Sequence, residues 1–258
     1  MGTAGRWGIT LPLRGRPLAA QGDLVAALPD LGYTDAWSAE VNGADAITPL
    51  ALASQWTGQL RFGTAIAGIF TRGPALLAMH AATLAALAPG RFVLGIGVSS
   101  PVIVTNWNGA ELDRPYQRAR DTLRFLRSAL AGEKVTAEYE TFSIRGFRLD
   151  PAPEQPPALA LAALRPGMVR LGAAESEGVI TNWLAPADVP RVRSVAGPAT
   201  ELIARLFVCP TADTATARAI GRQLIAAYQA SGLDTPVIMI VPAPGIDEAE
   251  AVRQLAPA

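Results

Sequence analysis

The sequence predicts a (β/α)8 TIM barrel, an α/β fold, and three observations carry that expectation. Short β-type runs alternate with longer helical ones from end to end, which is the grammar of a parallel sheet with helical crossovers. Eight such runs are present. The chain has 258 residues, close to the roughly 250 that eight βα units occupy.

The strand candidates are Trp7 to Leu11, Asp35 to Ala39, Leu60 to Ala67, Phe92 to Val98, Ala158 to Ala163, Gly178 to Asn182, Ile203 to Val208 and Pro236 to Val241. Helical patterns lie between them at Gln21 to Leu31, Thr48 to Trp56, Ala75 to Leu87, Tyr116 to Leu130, Met168 to Glu175 and Asp213 to Ala230. A weaker one covers Pro186 to Val195, and the last strand is followed by one over Ile246 to Leu255. The segment Val135 to Asp150 breaks the order, because polar and apolar residues alternate around Arg145-Gly146; it reads as a β-hairpin insertion after the fourth helix. The proline-rich PAPEQPP behind it cannot be helical. No composition shift or low-complexity linker divides the chain, so residues 1–258 are expected to form a single domain. A doubly wound open sheet uses the same alternation and is the second architecture; the strand count favours the barrel.

Composition bounds the partners. Half the residues are apolar, 17% are charged and the formal net charge is zero, the balance of a soluble globular protein with no basic face for nucleic acid or a membrane surface. The apolar stretches are too short or too interrupted to span a bilayer, and the first 15 residues do not read as a leader, so a cytoplasmic protein is expected. One cysteine, Cys209, excludes an internal disulfide, and one histidine, His80, argues against a zinc cluster, so no metal site is expected.

A barrel of this kind carries its function on the loops that follow the C-terminal strand ends. The loop after the third strand, GTAIAGIFTRGP, has glycines that let a ligand approach the backbone and places Arg72 where it can meet an anion or a substrate group. After the fourth strand come Gly95, Gly97, Ser99 and Ser100, only loosely like a dinucleotide fingerprint. After the fifth comes LRPGM, where Pro166 opens a helix and amides near Gly167 and Met168, with the charge of Arg165, could face a phosphate. The same residues also read as an ordinary strand-to-helix turn. Trp107 and Trp183 follow the fourth and sixth strands and could stack on a planar ligand or simply plug the mouth. Glu40, the carboxylate at a strand end with a glycine-containing loop beyond it, is the candidate catalytic acid or base. His80 reads as a partly exposed helix residue and Cys209 as a small buried one.

The stretch LRFGTAIAGIFTRGPALLAMHAATLAALAPGRFVLGIGVSSPVIVTNWNG, followed by RARDTLRFLRSALAGEKV, FRLD and AALRPGMVRLGAAESEGVITNW, resembles the luciferase-like monooxygenase superfamily, in its actinobacterial coenzyme F420-dependent oxidoreductase branch. The resemblance runs in order from residue 6 to 242. It implies a TIM barrel with a deazaflavin such as coenzyme F420, or a flavin, at the C-terminal mouth and hydride transfer to or from a small organic substrate. It also implies a bulged third strand with a non-prolyl cis peptide at Ala65-Ile66 backing the ring. Gly97, Val98, Ser99 and Ser100 would then line the ring edge, with Leu164, Arg165, Gly167 and Met168 near the phosphate-bearing tail.

Three departures stand beside this resemblance. Val41 occupies the place after Glu40 where many members carry histidine, and Ser100 the place where some F420 enzymes carry a glutamate acid. The chain is also shortened between the seventh helix and eighth strand, which removes helices that wall the site or meet a second subunit; a homodimer stays open. The alternatives are an FMN-dependent monooxygenase and a cofactor-free barrel that binds or cyclises an apolar metabolite.

Overall fold

The computed structural model describes residues 5–209, 223, 226–228, 230–241 and 246–257. Its main sheet is parallel and closed. Around the ring run β3 (Arg61–Thr64), β2 (Asp35–Ser38), β1 (Gly8–Leu11), β11 (Thr235–Ile240), β10 (Glu201–Val208), β9 (Gly178–Asn182), β8 (Ala158–Ala162) and β5 (Phe92–Gly97), and pairing of β5 with β3 closes it. A short β4 (Ala67–Gly68) continues the third barrel position beside β5. The eight-stranded barrel is therefore the fold. The helices outside it are α1 (Gly22–Ala27), α2 (Thr48–Trp56), α3 (Pro74–Leu87), α4 (Pro115–Leu130), α5 (Pro166–Glu175), α6 (Val189–Ala196) and α7 (Glu248–Gln254).

Most elements fall where the sequence predicts, and the differences have local causes. The first helix stops at Ala27 instead of Leu31 because Pro29 has no N–H to donate and disfavours helical geometry at Leu28. The third strand is interrupted: Gly63 pairs with Val93, but Ala67 pairs with Ile96, so the third strand has one residue more than β5 over the same span. That is a one-residue bulge at Ala65 and Ile66, the peptide between which is cis. The hairpin lies outside the barrel as β6 (Val135–Glu138) and β7 (Ser143–Phe147), yet its turn is at residues 139–142, with the Tyr139 amide bonded to the Phe142 carbonyl. Arg145 and Gly146 sit within β7, where Gly146 takes φ of 72°. Cys209 is exposed just past the end of β10 rather than buried. The helix expected over Asp213 to Ala230 lies largely outside the described residues; 223, 226–228 and 230 are helical, and residues 231–234 then lead directly into β11.

Strand alternation sorts the core into two parts. Outward-facing residues such as Leu202, Ala204 and Leu206 of β10 pack under the helices. Inward-facing Trp37, Val93, Ala160, Ile180, Ile203 and Val237 fill the barrel. Trp37 is the largest of these, and it fits only because its neighbour is glycine: a Cβ on Gly63 would lie 2.3 Å from the indole ring.

Below that layer the N-terminal end of the barrel is closed by charge. Arg61 donates from Nε to the fully buried Asp35 and from Nη1 and Nη2 to Glu201 at 2.8 and 2.6 Å across the barrel, and Thr235 also hydrogen-bonds Glu201. The Trp37 ring covers the guanidinium at 5.5 Å. Burial pushes the Glu201 carboxyl up, and the hydrogen bonds and charge of Arg61 outweigh that and hold it below the usual range. Such a pair contributes stability mainly by not being broken, since either partner left alone is a buried charge. Arg61→Met is expected to lower unfolding stability by about 3–5 kcal/mol in urea titrations. Because the Glu201 pKa is depressed, its contribution is full above the normal glutamate range near pH 4.3 and fades as pH falls below it, so the variant and parent should converge at acid pH.

Candidate functional site

The interrupted third strand shapes the opposite end of the barrel. Its freed backbone groups are taken up by neighbours: the Ala65 amide donates to the Ser38 carbonyl at 2.6 Å, and the Thr64 hydroxyl to the Gly95 carbonyl at 2.7 Å. Gly95 and Gly97 on β5 make room for this bulge. A Cβ on Gly95 would come within 1.9 Å of the Thr64 carbonyl oxygen, and one on Gly97 within 2.9 Å of Ile66.

Beyond the bulge opens a cavity of about 660 Å³. One wall is Ala65 and Ile66, with Val98 and Ser99 beside them on the loop leaving β5. The facing wall is the segment between β8 and α5, contributing Leu164, Arg165, Gly167 and Met168. Pro115 and Tyr116 at the start of α4 close one side, and Thr181, Asn182 and Arg205 from β9 and β10 the other. The three described non-glycine residues with left-handed backbone, Ser99, Arg114 and Trp183, all lie on loops at this end, where the chain is held in costly conformations.

Of the residues singled out from sequence, eight line this cavity and six do not. Gly97 sits behind Ile66. Ser100 turns inward on its own loop, its hydroxyl accepting from the Ile103 amide at 3.4 Å at the start of a π-helical turn, Val102–Trp107. Trp107 is half exposed on that turn, and Trp183 stands at the rim, 72% exposed and stacked on Phe207 at 4.2 Å.

Glu40 and Arg72 are taken up by one another. The Arg72 Nη2 donates to Glu40 at 2.7 Å and its Nε at 3.0 Å, while the Gly68 amide donates to the same carboxylate at 2.9 Å. The carboxylate thus ties the bulge to the loop beyond it, outside the cavity lining, because Arg72 folds back onto it instead of reaching the mouth. His80 joins this group: Arg72 can only donate, so Nδ1, at 3.3 Å from Nη1, is the acceptor and the proton resides on Nε2.

Pro115, Tyr116, Ala162, Ala163, Ile180, Thr181, Asn182 and Arg205 were not singled out from sequence. Arg205 carried a readable signal: it is a cation inside the apolar run ELIARLFV at the inward parity of Ile203. The described lining contains no carboxylate and no imidazole. Arg205 is held below the ordinary arginine range by burial and by the charge of Arg14. Among the described residues no group of His, Cys, Asp and Glu could hold a metal ion, and no helix is long and apolar enough to cross a membrane.

The sequence profile of the luciferase-like monooxygenases matches residues 4–256. The chain belongs to that family. Among luciferase-like relatives, a Mycobacterium tuberculosis protein whose name assigns it provisionally to the coenzyme F420-dependent oxidoreductases is 37% identical over 129 residues, 50% of this chain and 35% of that protein. A Methanolobus tindarius protein named 5,10-methylenetetrahydromethanopterin reductase is 25% identical over 228 residues, 84% of this chain and 68% of its own. The match thus spans about a third of the first relative's length and two thirds of the second's. Among solved structures, an F420-dependent secondary alcohol dehydrogenase in complex with an F420-acetone adduct superposes with a TM-score of 0.82 at 15% identity, covering 99% of this chain and 98% of that one. The coenzyme F420-dependent tetrahydromethanopterin reductase of Methanopyrus kandleri gives 0.79 at 16% identity, with 98% of each chain covered. At these identities the structural likeness establishes the barrel fold.

The Glu40–Arg72–His80 group has a titration signature. Burial and then the Arg72 charge push the His80 imidazole below its ordinary 6.5, against the opposite pull of Asp45 and Glu40. His80 is the single histidine of the chain, so its NMR titration is unambiguous. It is expected to protonate below pH 6.5, and Arg72→Met should raise its pKa because only the two carboxylates then remain.

Proposed function

We propose that this chain is an oxidoreductase that binds coenzyme F420 at the C-terminal mouth and transfers a hydride between it and a small organic substrate. The observation that carries the reading is the cavity itself, with an apolar wall at the bulge facing a helix start. Ala65, Ile66, Val98, Ala162 and Ile180 offer a dry surface to a planar ring, and Thr181, Asn182 and Arg205 offer hydrogen-bonding groups to its polar edge. At the facing wall α5 begins with Pro166, and the next amides, those of Gly167 and Met168, have no intrahelical acceptors because they lie in its first turn. Those amides and the partial positive charge of the helix start suit a phosphate-bearing tail, with Arg165 adding exposed charge. The donor set therefore fits a deazaflavin. The F420-related name of the Mycobacterium tuberculosis relative supports the same reading.

When bound, the deazaflavin supplies the hydride acceptor or donor. The protein's part is to orient and to exclude water. The bulge would back the ring and Leu164 and Met168 would cover it from the β8 side, while the Trp183–Phe207 stack stands at the rim. Glu40 acts as a positioning residue here, holding Gly68 and Arg72 so that the bulge keeps its place.

Titrating F420 and FMN separately into the purified protein tests the reading. Quenching of F420 fluorescence at micromolar concentration supports it. Binding of FMN alone would move the chain to the flavin monooxygenases, and binding of neither would overturn both.

Gly167 locates the tail. A Cβ there meets no protein atom within 4 Å, so Gly167→Val should fold normally and place its branches in the cavity. F420 affinity is expected to fall at least about tenfold, roughly 1.4 kcal/mol. Arg165→Ala should weaken binding less, and chiefly at low salt, since exposed charge is screened within about 10 Å at 0.1 M. Unchanged affinity in a folded Gly167→Val variant would remove the tail from this site.

A further inference from the structure

Arg205 is the one cavity-lining cation that is largely covered by protein, and it has been given almost nothing to hold. A guanidinium carries five N–H donors. In Arg205, Nη1 donates to the Ala65 carbonyl at 3.2 Å, Nη2 meets the Met239 thioether at 2.7 Å, and the buried Nε has no partner. A thioether is a weak acceptor. No carboxylate pairs with Arg205 among the described residues, and the charge that bears on it is the like charge of Arg14. Elsewhere in the barrel the pattern is the reverse: Arg61 has two carboxylates and Arg72 one, each at hydrogen-bond distance. The Phe207 ring lies 5.5 Å from the guanidinium and gives it a cation–π contact but no counter-charge, so an anionic ligand that joins it in this low-dielectric wall gains more than a surface ion pair would.

We infer that Arg205 is the anion-recognition residue of this cavity, and that it selects a ligand with an apolar body carrying one anionic oxygen on a conjugated system, a carboxylate or an enolate-type oxygen. The apolar body is set by Ile66, Val98, Ala162 and Ile180, which leave few other polar partners. The anionic oxygen is set by the donors left open on Arg205. The anchoring of Nη1 on the Ala65 carbonyl fixes the guanidinium against the bulge, so the bound oxygen lies beside the wall proposed to back the ring. As a statement about the reaction this rests on the deazaflavin reading; as a statement about the cavity it stands on Arg205. The oxygen has two sources, the substrate or the polar edge of the ring itself.

Benzoate and its neutral isostere benzamide serve as probes, with binding followed by ligand-observed NMR on the full chain. Benzoate is expected to bind at least tenfold more tightly than benzamide, Arg205→Gln to abolish the preference, and Arg165→Gln to retain it. Equal binding of the two probes to the parent protein overturns the inference without any variant. A preference that survives in folded Arg205→Gln, or that vanishes in Arg165→Gln, moves the anion site to Arg165 and also overturns it. Should Arg205→Gln not fold, the parent ratio and Arg165→Gln decide between them. Repeating the titration with F420 present separates the sources: benzoate that still binds the F420 complex identifies a substrate oxygen, and benzoate that is displaced identifies the ring. Protein that prefers benzoate but binds no F420 keeps Arg205 as the anion site and removes the deazaflavin reading, whereas protein that binds F420 with no probe preference does the opposite.

Discussion

Between Gly63 and Ala67 the third barrel strand has one residue more than β5 can pair, and the backbone groups there have to find partners away from β5. The partners they find define the mouth. Ser38 receives the Ala65 amide, Glu40 receives the Gly68 amide, and Arg205 donates to the Ala65 carbonyl from the far side of the barrel. Two strands, β2 and β10, and the loop after β2 are thereby tied to one bulge. The tie also explains why glycine stands at positions 95 and 97, since any side chain there would press on Thr64 or Ile66 and push the wall out of place. A side chain on the wall of a barrel is only as well positioned as its strand, so the cavity's shape follows from that single surplus residue.

Charge is distributed along the barrel axis with equal consequence. At the closed end, the carboxylates of Asp35 and Glu201 are matched by Arg61 beneath Trp37 and by Arg6, which pairs with Asp35. At the open end Arg205 has no carboxylate partner among the described residues, and its Nε is left without a partner. Both residues of β10, Glu201 and Arg205, face inward because they share the parity of the strand, four residues apart; one strand therefore supplies the plug at the bottom and the cation at the top. The difference between a structural and a receptive charge lies here in what the neighbouring strands offer, a carboxylate and an arginine at one level, a carbonyl and a thioether at the other.

The barrel was legible in the sequence because βα alternation is a local signal repeated eight times, and a run such as Gly178–Asn182 has no other reading. The site was legible only in part. Ala65, Ile66, Val98, Ser99 and the segment Leu164 to Met168 lie at strand ends, where barrel grammar directs attention, and the cavity includes them. Glu40 and Arg72 lie at strand ends too, yet their pairing depends on a contact across 32 residues of chain that no spacing rule encodes. The hairpin turn was misplaced for a related reason: Gly146 marks a left-handed position, which a bulge within β7 requires as much as a turn does. Arg205 escaped notice because a lone cation in an apolar strand reads as an outward residue until the inward parity of Ile203 is known.

A cavity whose described lining holds arginines, a tyrosine and amides, but no carboxylate or imidazole, limits what the protein itself can do. Guanidinium groups do not give up protons near neutral pH, so they can hold developing negative charge but cannot move a proton. Neither Val41 nor Ser100 adds a side chain that titrates near neutral pH. On the deazaflavin reading, catalysis then consists of placing the substrate against the bulge and stabilising an oxygen anion, with protons exchanged with water at the mouth. Preorganised charge is in general the larger contribution to such reactions. It requires a cation fixed in place before the substrate arrives, which is the state in which the Ala65 carbonyl and the walls of β9 and β11 hold Arg205.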